Sequence, residues 1–276
     1  MTNTGRIAGK TVMYLVLVVF GVLMIMPFYW MIVTSFQIPQ NLRTFPPKWL
    51  PRPPTLEHFA AAFEQAPFFL YYRNSLIVSS IHVVLSVLLG LLAGYAFAIY
   101  RFPLKGFFFI LILSTLMVPI QVTSVSLYIL MARLGWIDTF AGILAPDIAS
   151  AFSVFFMTQT IKSIPGDLID AARIDGAREI RIVLTVVAPL VKTVIATITL
   201  ILFINSWNDF LWPVIVINSQ RLRTLSVGIA FFKDPYQIAF GPLMAATTIA
   251  TMPMILVYIG LQRFVIKGIA TTGLKF

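Results

Sequence analysis

The chain has 276 residues, of which 59% are hydrophobic and only 11% are charged. A soluble domain of ordinary composition is about 45–50% apolar and about 25% charged, so one soluble core cannot bury this excess. The composition therefore excludes an ordinary soluble domain and predicts an all-α membrane protein. The net charge of +10 does not indicate nucleic-acid binding, because the basic residues flank apolar segments instead of forming one stripe. The absence of cysteine excludes disulfides, thiolate catalysis and cysteine-ligated metal sites.

Long uncharged segments predict the helices that cross the membrane. A helix needs about 20 residues to cross a hydrocarbon layer of about 30 Å. Residues 74–100 and 106–132, for example, contain no acidic residue, lysine or arginine. The pattern predicts six transmembrane helices in a single transmembrane domain that covers residues 1–276. Their approximate bounds are 12–34, 75–99, 107–131, 140–161, 187–215 and 242–264.

The distribution of basic residues predicts the orientation, because lysine and arginine are more frequent in cytoplasmic segments. With the N-terminus inside, the inner segments hold twelve of them and the outer segments hold eight. We therefore expect both termini in the cytoplasm, with residues 162–186 as the longest cytoplasmic loop. The proline-rich outer segment 36–72 has no spanning pattern, and its part 56–69 has the pattern of a short amphipathic helix.

The loop 162–186 has the sequence signals of an ordered helix and turn. Pro165 suits the first turn of a helix, and Asp170 lies near its positive end. Ala171 and Ala172 would give the helix a small, flat surface. Gly176 can take the left-handed conformation that ends a helix. This pattern predicts a rigid element that projects from the membrane and docks on another protein.

The same loop contains a set of residues with a characteristic spacing. They are Asp170, Ala171, Ala172, Gly176, Val186 and Pro189. This spacing resembles the EAA motif of ABC importer permeases, in which Glu-Ala-Ala is followed by three residues, Gly, nine residues and Ile-x-Leu-Pro. The departures are mild: Asp170 stands for Glu, Val186 for Ile and Ala188 for Leu. The resemblance implies that Asp170, Ala171, Ala172, Gly176 and Pro189 couple the chain to an ATPase.

Two further stretches, Trp207–Phe210 and Gln262–Gly268, resemble the carbohydrate branch of these permeases, in particular the maltose-type second subunit. The resemblance implies the MetI-like permease architecture, a location in the bacterial inner membrane and a sugar-like solute. It also implies a second permease subunit, two copies of a cytoplasmic ATPase and an extracytoplasmic solute-binding protein. The resemblance further implies that the outer loop 218–240 reaches the solute-binding protein and that the C-terminal tail 267–276 inserts between the ATPases.

The chain is not expected to be an enzyme or to bind a cofactor. The glycines of the segment 5–11 are separated by three residues, whereas a phosphate-binding loop needs four, between a strand and a helix. ATP is therefore expected to bind to the partner ATPase. The chain's two histidines, His58 and His82, form no HExxH site.

Polar residues within the predicted spans are candidates for the translocation path, because polar groups are costly in lipid. They are Gln121, Asn205, Asn208 and Asp209. Asparagine suits a sugar hydroxyl and an interhelical hydrogen bond equally well. His82 is more simply explained by packing, and Asp147 is expected to face the protein interior or an aqueous cavity.

Small residues recur every four positions in the second predicted span. They are Ser86, Gly90, Gly94 and Ala98. Such a stripe lets helix backbones approach closely in lipid, either within the permease or against its partner, although glycine is generally enriched in membrane helices.

An alternative function is a proton-coupled secondary transporter that uses Asp147 and Asp209. It would predict uptake that collapses with the proton gradient and needs no ATPase. A second alternative, an intramembrane hydrolase using the same carboxylates, would predict activity of the isolated subunit. Neither alternative accounts for the spacing of the loop 162–186.

Overall fold

The computed structural model describes residues 3–231 and 240–272, without the side chains of residues 3–8, 43 and 265–272. Every regular element in this part of the chain is helical. The helices are α1 (Asn3–Ser35), α2 (Glu57–Gln65), α3 (Phe68–Ile99), α4 (Lys105–Ser114), α5 (Ile120–Arg133), α6 (Phe140–Leu144), α7 (Ala151–Ile161), α8 (Gly166–Ile174), α9 (Glu179–Ile182), α10 (Ala188–Leu190), α11 (Lys192–Asn208), α12 (Leu211–Val216), α13 (Leu225–Ala230) and α14 (Phe240–Thr272). A π-helical turn, Val183–Val187, joins α9 to α10.

The chain divides into two compact units. The first comprises the described residues of Met1–Phe69 and Ile229–Met252, and the second those of Leu70–Gly228 and Pro253–Phe276. Within the first unit, the proline-rich segment after α1 is ordered by side-chain hydrogen bonds. Lys48 Nζ donates to Asn41 Oδ1 at 2.7 Å, and Gln37 Nε2 donates to the Lys48 carbonyl at 2.7 Å. The amphipathic helix expected at 56–69 is shorter, because α2 ends at Gln65 and Ala66, which precedes Pro67, is extended.

Three helical segments are long and apolar enough to cross a membrane: Gly9–Ser35, Phe68–Ile99 and Phe240–Phe264. They coincide with the first, second and sixth predicted spans. Two bent helix pairs raise the number of candidate spans in the described residues to five if each pair is one span. The described part of the chain is therefore an all-helical membrane protein with three to five candidate spans.

The third and fifth predicted spans are not straight helices. The third, 107–131, is bent by 104° between Lys105–Met117 and Ile120–Arg133. Val118 takes an extended conformation there because Pro119 disfavours helical geometry at the residue before it. The fifth, 187–215, is bent by 86° at Val191 and is broken again at Asp209, which is also extended. Pro189, which removes a helical hydrogen bond, lies between the π-turn and the first of these breaks.

The fourth predicted span, 140–161, is also interrupted. Only α6 and the 11-residue α7 are helical in it, and residues 145–150 separate them. Pro146 cannot donate a helical hydrogen bond, and Ser150 starts a new helix by accepting one from the Ser153 N–H at 3.4 Å. The segment 140–161 is therefore two short helices and not one continuous helix.

Candidate functional site

The loop 162–186 begins with a short helix whose two faces differ. One face is anchored, because Ile169 is buried. The other face presents Leu168, Ala171 and Ile174 to the surroundings, and Ile174 is 86% exposed. Helix α8 therefore carries an apolar surface of small and medium side chains that the described residues of this chain leave uncovered.

Gly176 ends α8 with a left-handed residue, as the sequence predicted, and its φ is +78°. The Gly176 N–H donates to the Arg173 carbonyl at 3.0 Å, and the Ala177 N–H donates to the Ala172 carbonyl at 3.0 Å. These two bonds are the pair that defines a Schellman motif. No heavy atom lies within 4 Å of an added Gly176 Cβ, so the backbone conformation, and not space, requires glycine here.

A network of side chains joins the two arms of the loop and connects them to α3. Arg173 Nε donates to Glu179 Oε1 at 2.8 Å, across the turn at Gly176. The Tyr95 hydroxyl donates to Glu179 Oε2 at 2.6 Å. Arg173 also pairs with Asp170 at 3.1 Å. The network ties α8, α9 and the last turns of α3 into one body.

The pKa of Glu179 is lowered to about 2, first by the hydrogen bond from Arg173 and then by that from Tyr95. A lowered carboxyl pKa contributes stability that is complete above the unfolded value of about 4.3 and is lost as the pH falls through about 2. The network is therefore intact and insensitive to pH between about pH 5 and 8.

We expect Glu179→Gln to lower ATP hydrolysis stimulated by the solute-binding protein several-fold, because it removes the charge that holds Arg173. This loss of stimulated ATP hydrolysis should be equal at pH 5.5 and pH 7.5. The loss of stability should stay near 1 kcal/mol, since partly exposed ion pairs contribute little. Steady-state ATPase assays of the purified complex at both pH values test this, with Glu64→Gln as a charge-matched control outside the loop. Full stimulation in Glu179→Gln would show that the network does not transmit motion.

Asp170 and Pro189 differ in their surroundings from the other motif residues. The Asp170 carboxylate is exposed and already pairs with Arg173 of the same chain. Pro189 lies outside α8, in α10, where it follows the π-turn and precedes the bend at Val191. Ala171 and Ala172 lie on α8 itself, on the side that is exposed or half-buried.

A cavity of about 800 Å³ lies within the second unit. Its wall contains residues from α3, α5, α11 and the segments that follow α6 and α11. Asn205, Asn208 and Asp209 all line it, whereas Gln121 is not among the lining residues. The structure thus brings together three of the four predicted path residues. In place of Gln121, its neighbours Ile120 and Thr123 face the cavity.

Two of these polar residues also make structural contacts. Asn208 Nδ2 donates to the Ile204 carbonyl at 2.9 Å and lies 3.3 Å from Met254 Sδ. The Asp209 carboxylate accepts hydrogen bonds from the backbone N–H groups of Leu211 and Trp212. Asn208 therefore has the interhelical contact that the sequence left open, and Asp209 supports the start of α12.

His82 and Asp147 form a pair on the cavity wall that sequence reasoning did not connect. His82 Nε2 lies 3.1 Å from the Asp147 carbonyl and 3.3 Å from its Oδ2. Both atoms are acceptors, so Nε2 carries the hydrogen. The His82 side chain is 6% exposed and that of Asp147 is 74% exposed. Asp147 therefore presents its carboxylate to the cavity, while His82 lies behind it.

The stripe of small residues on α3 faces α7. The Ser86 hydroxyl donates to the Ile148 carbonyl at 2.9 Å. A Cβ added at Gly90 would lie 2.5 Å from Ser153 Cβ, and one at Gly94 would lie 2.5 Å from Met157 Cβ. Ala98, at the end of the stripe, is half-buried. These contacts favour packing within this chain over the other two interpretations.

Several sequence expectations fall on residues outside the described part of the chain. Residues 232–239 of the outer loop and 273–276 of the tail are among them. The described start of the outer loop is anchored to α3, because Asn74 Nδ2 donates to the Arg221 and Arg223 carbonyls at 2.9 and 3.0 Å. Asp138 Oδ1 also accepts from the Ser219 N–H at 2.9 Å.

Known proteins resemble this chain over most of its length. A family profile described as "Binding-protein-dependent transport system inner membrane component" matches residues 86–271. The arabinooligosaccharides transport system permease protein AraQ of Halalkalibacterium halodurans is 35% identical over 222 residues, which are 80% of each chain. The lactose transport system permease protein LacG of Rhizobium radiobacter is 33% identical over 272 residues, which are 97% of each chain. The sn-glycerol-3-phosphate transport system permease protein UgpE of Brucella abortus is 36% identical over 201 residues, or 72% of this chain and 71% of the relative.

The fold also matches a solved structure. One chain of a bacterial ABC transporter involved in the import of the acidic polysaccharide alginate superimposes with a TM-score of 0.86. The match covers 96% of this chain and 99% of that chain at 22% sequence identity, which supports the fold alone.

The chain belongs to the family of binding-protein-dependent transport system inner membrane components. It is a permease subunit of an ABC importer and a multi-pass protein of the inner membrane. ATP is hydrolysed by a partner ATPase, and a solute-binding protein delivers the solute.

Proposed function

We propose that this permease forms half of the translocation pathway for a sugar or sugar-like solute. In this proposal six helices cross the membrane, with α6 and α7 together forming the interrupted fourth span. A second permease subunit forms the other half, and two ATPase copies bind on the cytoplasmic side. The names of the relatives, which refer to lactose, arabinooligosaccharides and sn-glycerol-3-phosphate, support this solute class.

The observation that carries the proposal is the ordered, exposed helix α8. An apolar face that the described residues leave uncovered suits a groove on the ATPase, and the closed turn at Gly176 keeps the helix in one orientation. ATP-driven closure of the ATPase dimer would move α8. The contact from Glu179 to Tyr95 would pass that movement to α3. This mechanism needs two states that differ in their contacts with the ATPase.

The orientation follows from the same assignment. An α8 that docks on a cytoplasmic ATPase lies in the cytoplasm, and the bias of basic residues supports the same side. Both termini are then cytoplasmic, and the segment around Gln220 is extracytoplasmic.

A photo-cross-link tests docking and orientation together. Benzoylphenylalanine at position 168 replaces an exposed leucine on the same face as Ala171, and it should yield an adduct with the ATPase after irradiation of membranes. The same probe at exposed Gln220 should give no ATPase adduct. An ATPase adduct from position 220, or none from position 168, would contradict the proposal.

A further inference from the structure

The cavity of the second unit is lined by more acidic than basic side chains. Asp147 and Asp209 both line it, and none of its described lining residues is a lysine or an arginine. His82 Nε2 contacts Asp147 Oδ2 at 3.3 Å, and Asp209 lines the same cavity. Arginine and lysine are the side chains that recognise phosphate and carboxylate groups in proteins. The described wall of this cavity therefore offers no cationic side chain to an anionic solute.

The same wall is rich in groups that bind hydroxyls. Asn205 and Asn208 offer amides, and Thr115, Thr123 and Ser206 offer hydroxyl groups. Two lining residues are more than nine-tenths buried and have a polar atom without a hydrogen-bond partner among the described residues: Thr224 Oγ1 and His82 Nδ1. A buried polar atom without a partner carries a cost that a solute hydroxyl or an accompanying water would remove.

We propose that Asp147 and Asp209 make this cavity selective for uncharged, hydroxyl-rich solutes and against solutes that carry a phosphate or carboxylate group. The inference rests on the proposed function, because it treats the cavity as part of the translocation pathway. The proposed charge selection distinguishes between the solutes in the relatives' names, because lactose and arabinooligosaccharides are uncharged, whereas sn-glycerol-3-phosphate is an anion. Asp147 and Asp209 act as specificity-determining residues. Asp147 presents its exposed carboxylate from the interruption between α6 and α7, and Asp209 lies at the break after α11.

The local potential can be measured without knowing the solute, because the chain contains no cysteine. Single cysteines replace Ala149 and Ser206, which line the cavity. The purified complex in nanodiscs is treated with a cationic trimethylammonium-ethyl methanethiosulfonate or an anionic sulfonatoethyl methanethiosulfonate. Each rate is divided by the rate with 2-mercaptoethanol in solution. Because the same thiolate attacks both reagents at the same pH, with methanesulfinate as the leaving group, the ratio of the two normalised rates reports the potential.

At both positions the cationic reagent should react at least about ten-fold faster than the anionic one, as expected for two nearby charges of the same sign in a partly aqueous site. Asp147→Asn and Asp209→Asn should each reduce this ratio about three-fold, by speeding the anionic reagent and slowing the cationic one. Asparagine keeps an oxygen that accepts the backbone hydrogen bonds at position 209, so the fold should survive. Glu64→Gln removes a carboxylate that does not line the cavity and should leave the ratio unchanged.

A ratio near one, a preference for the anionic reagent, or a ratio unaffected by either asparagine variant would overturn charge selection. The absence of reaction with both reagents at both positions would also overturn it, because the cavity would then not be open to solutes. Each of these results would leave the cross-link from position 168 intact, so it could be told apart from a failure of the proposed function.

Discussion

Gly94→Leu is expected to abolish accumulation of the folded permease. A Cβ at this position would lie 2.5 Å from Met157 Cβ and 3.0 Å from the Thr158 backbone nitrogen. These atoms belong to the main chain of α7 or are attached directly to it, so a rotamer change cannot make room. Helix α7 would have to separate from α3. Overpacking of this kind costs about 1–3 kcal/mol and occasionally more, and it would expose the buried contacts of Ser153 and Met157.

A graded series separates this effect from a general intolerance of larger residues. Gly94→Ala should already lower the level of folded protein, and Gly94→Leu should remove it. Gly260→Leu, in α14 with nothing within 4 Å of its added Cβ, should accumulate normally. The measurement is monodisperse protein recovered from membranes by size-exclusion chromatography. Normal recovery of Gly94→Leu would show that α3 and α7 do not pack in this way.

Much of the fold could be predicted from hydrophobic length alone. The segments within α1, α3 and α14 are long, apolar and uncharged, and a helix is the structure that satisfies their backbone in lipid. The small-residue stripe could be found because its spacing of four residues follows the helix period. The conformation of Gly176 could be predicted because its cause lies within a few residues of it in the chain.

The bends in the third and fifth predicted spans could not be predicted from hydrophobic length. Pro119 and Pro189 were visible, but bends of 104° and 86° depend on how the flanking helices pack. The bend before α5 also explains why Gln121 is not among the residues that line the cavity. A straight helix over 107–131 would set the direction of that side chain, whereas α5 restarts at Ile120 with a new axis.

Contacts between residues far apart in the chain could not be predicted from the sequence either. Tyr95 and Glu179 are 84 residues apart, and His82 and Asp147 are 65 residues apart. No local period or motif connects either pair. For His82 and Asp147 there was a chemical signal, since a histidine or a carboxylate within a membrane span needs a partner.

Gly176→Val is expected to uncouple ATP hydrolysis from transport. A β-branched residue disfavours the left-handed conformation at φ +78°, with a cost of about 1–3 kcal/mol. The turn would open to relieve this strain. The bonds from the Gly176 and Ala177 N–H groups would be lost, and Arg173 would no longer face Glu179. The membrane-embedded helices do not depend on this turn, so the protein should still insert and assemble.

Two matched variants isolate the backbone effect. Gly166→Val makes the same substitution at the first residue of α8, the helix that Gly176 terminates, at a glycine that has no positive φ and nothing within 4 Å of its added Cβ. It should behave like the unmodified protein. Gly176→Asn should retain most of the activity, because asparagine tolerates the left-handed conformation better than other non-glycine residues.

The central claim is that α8 and its closing turn transmit the work of the ATPase to this permease. The most direct measurement is the number of solute molecules taken up per ATP hydrolysed, in proteoliposomes that contain the complete complex and its loaded solute-binding protein. We predict at least a ten-fold lower ratio for Gly176→Val and an unchanged ratio for Gly166→Val. An unchanged ratio for Gly176→Val, in a complex that retains its ATPase, would contradict the claim.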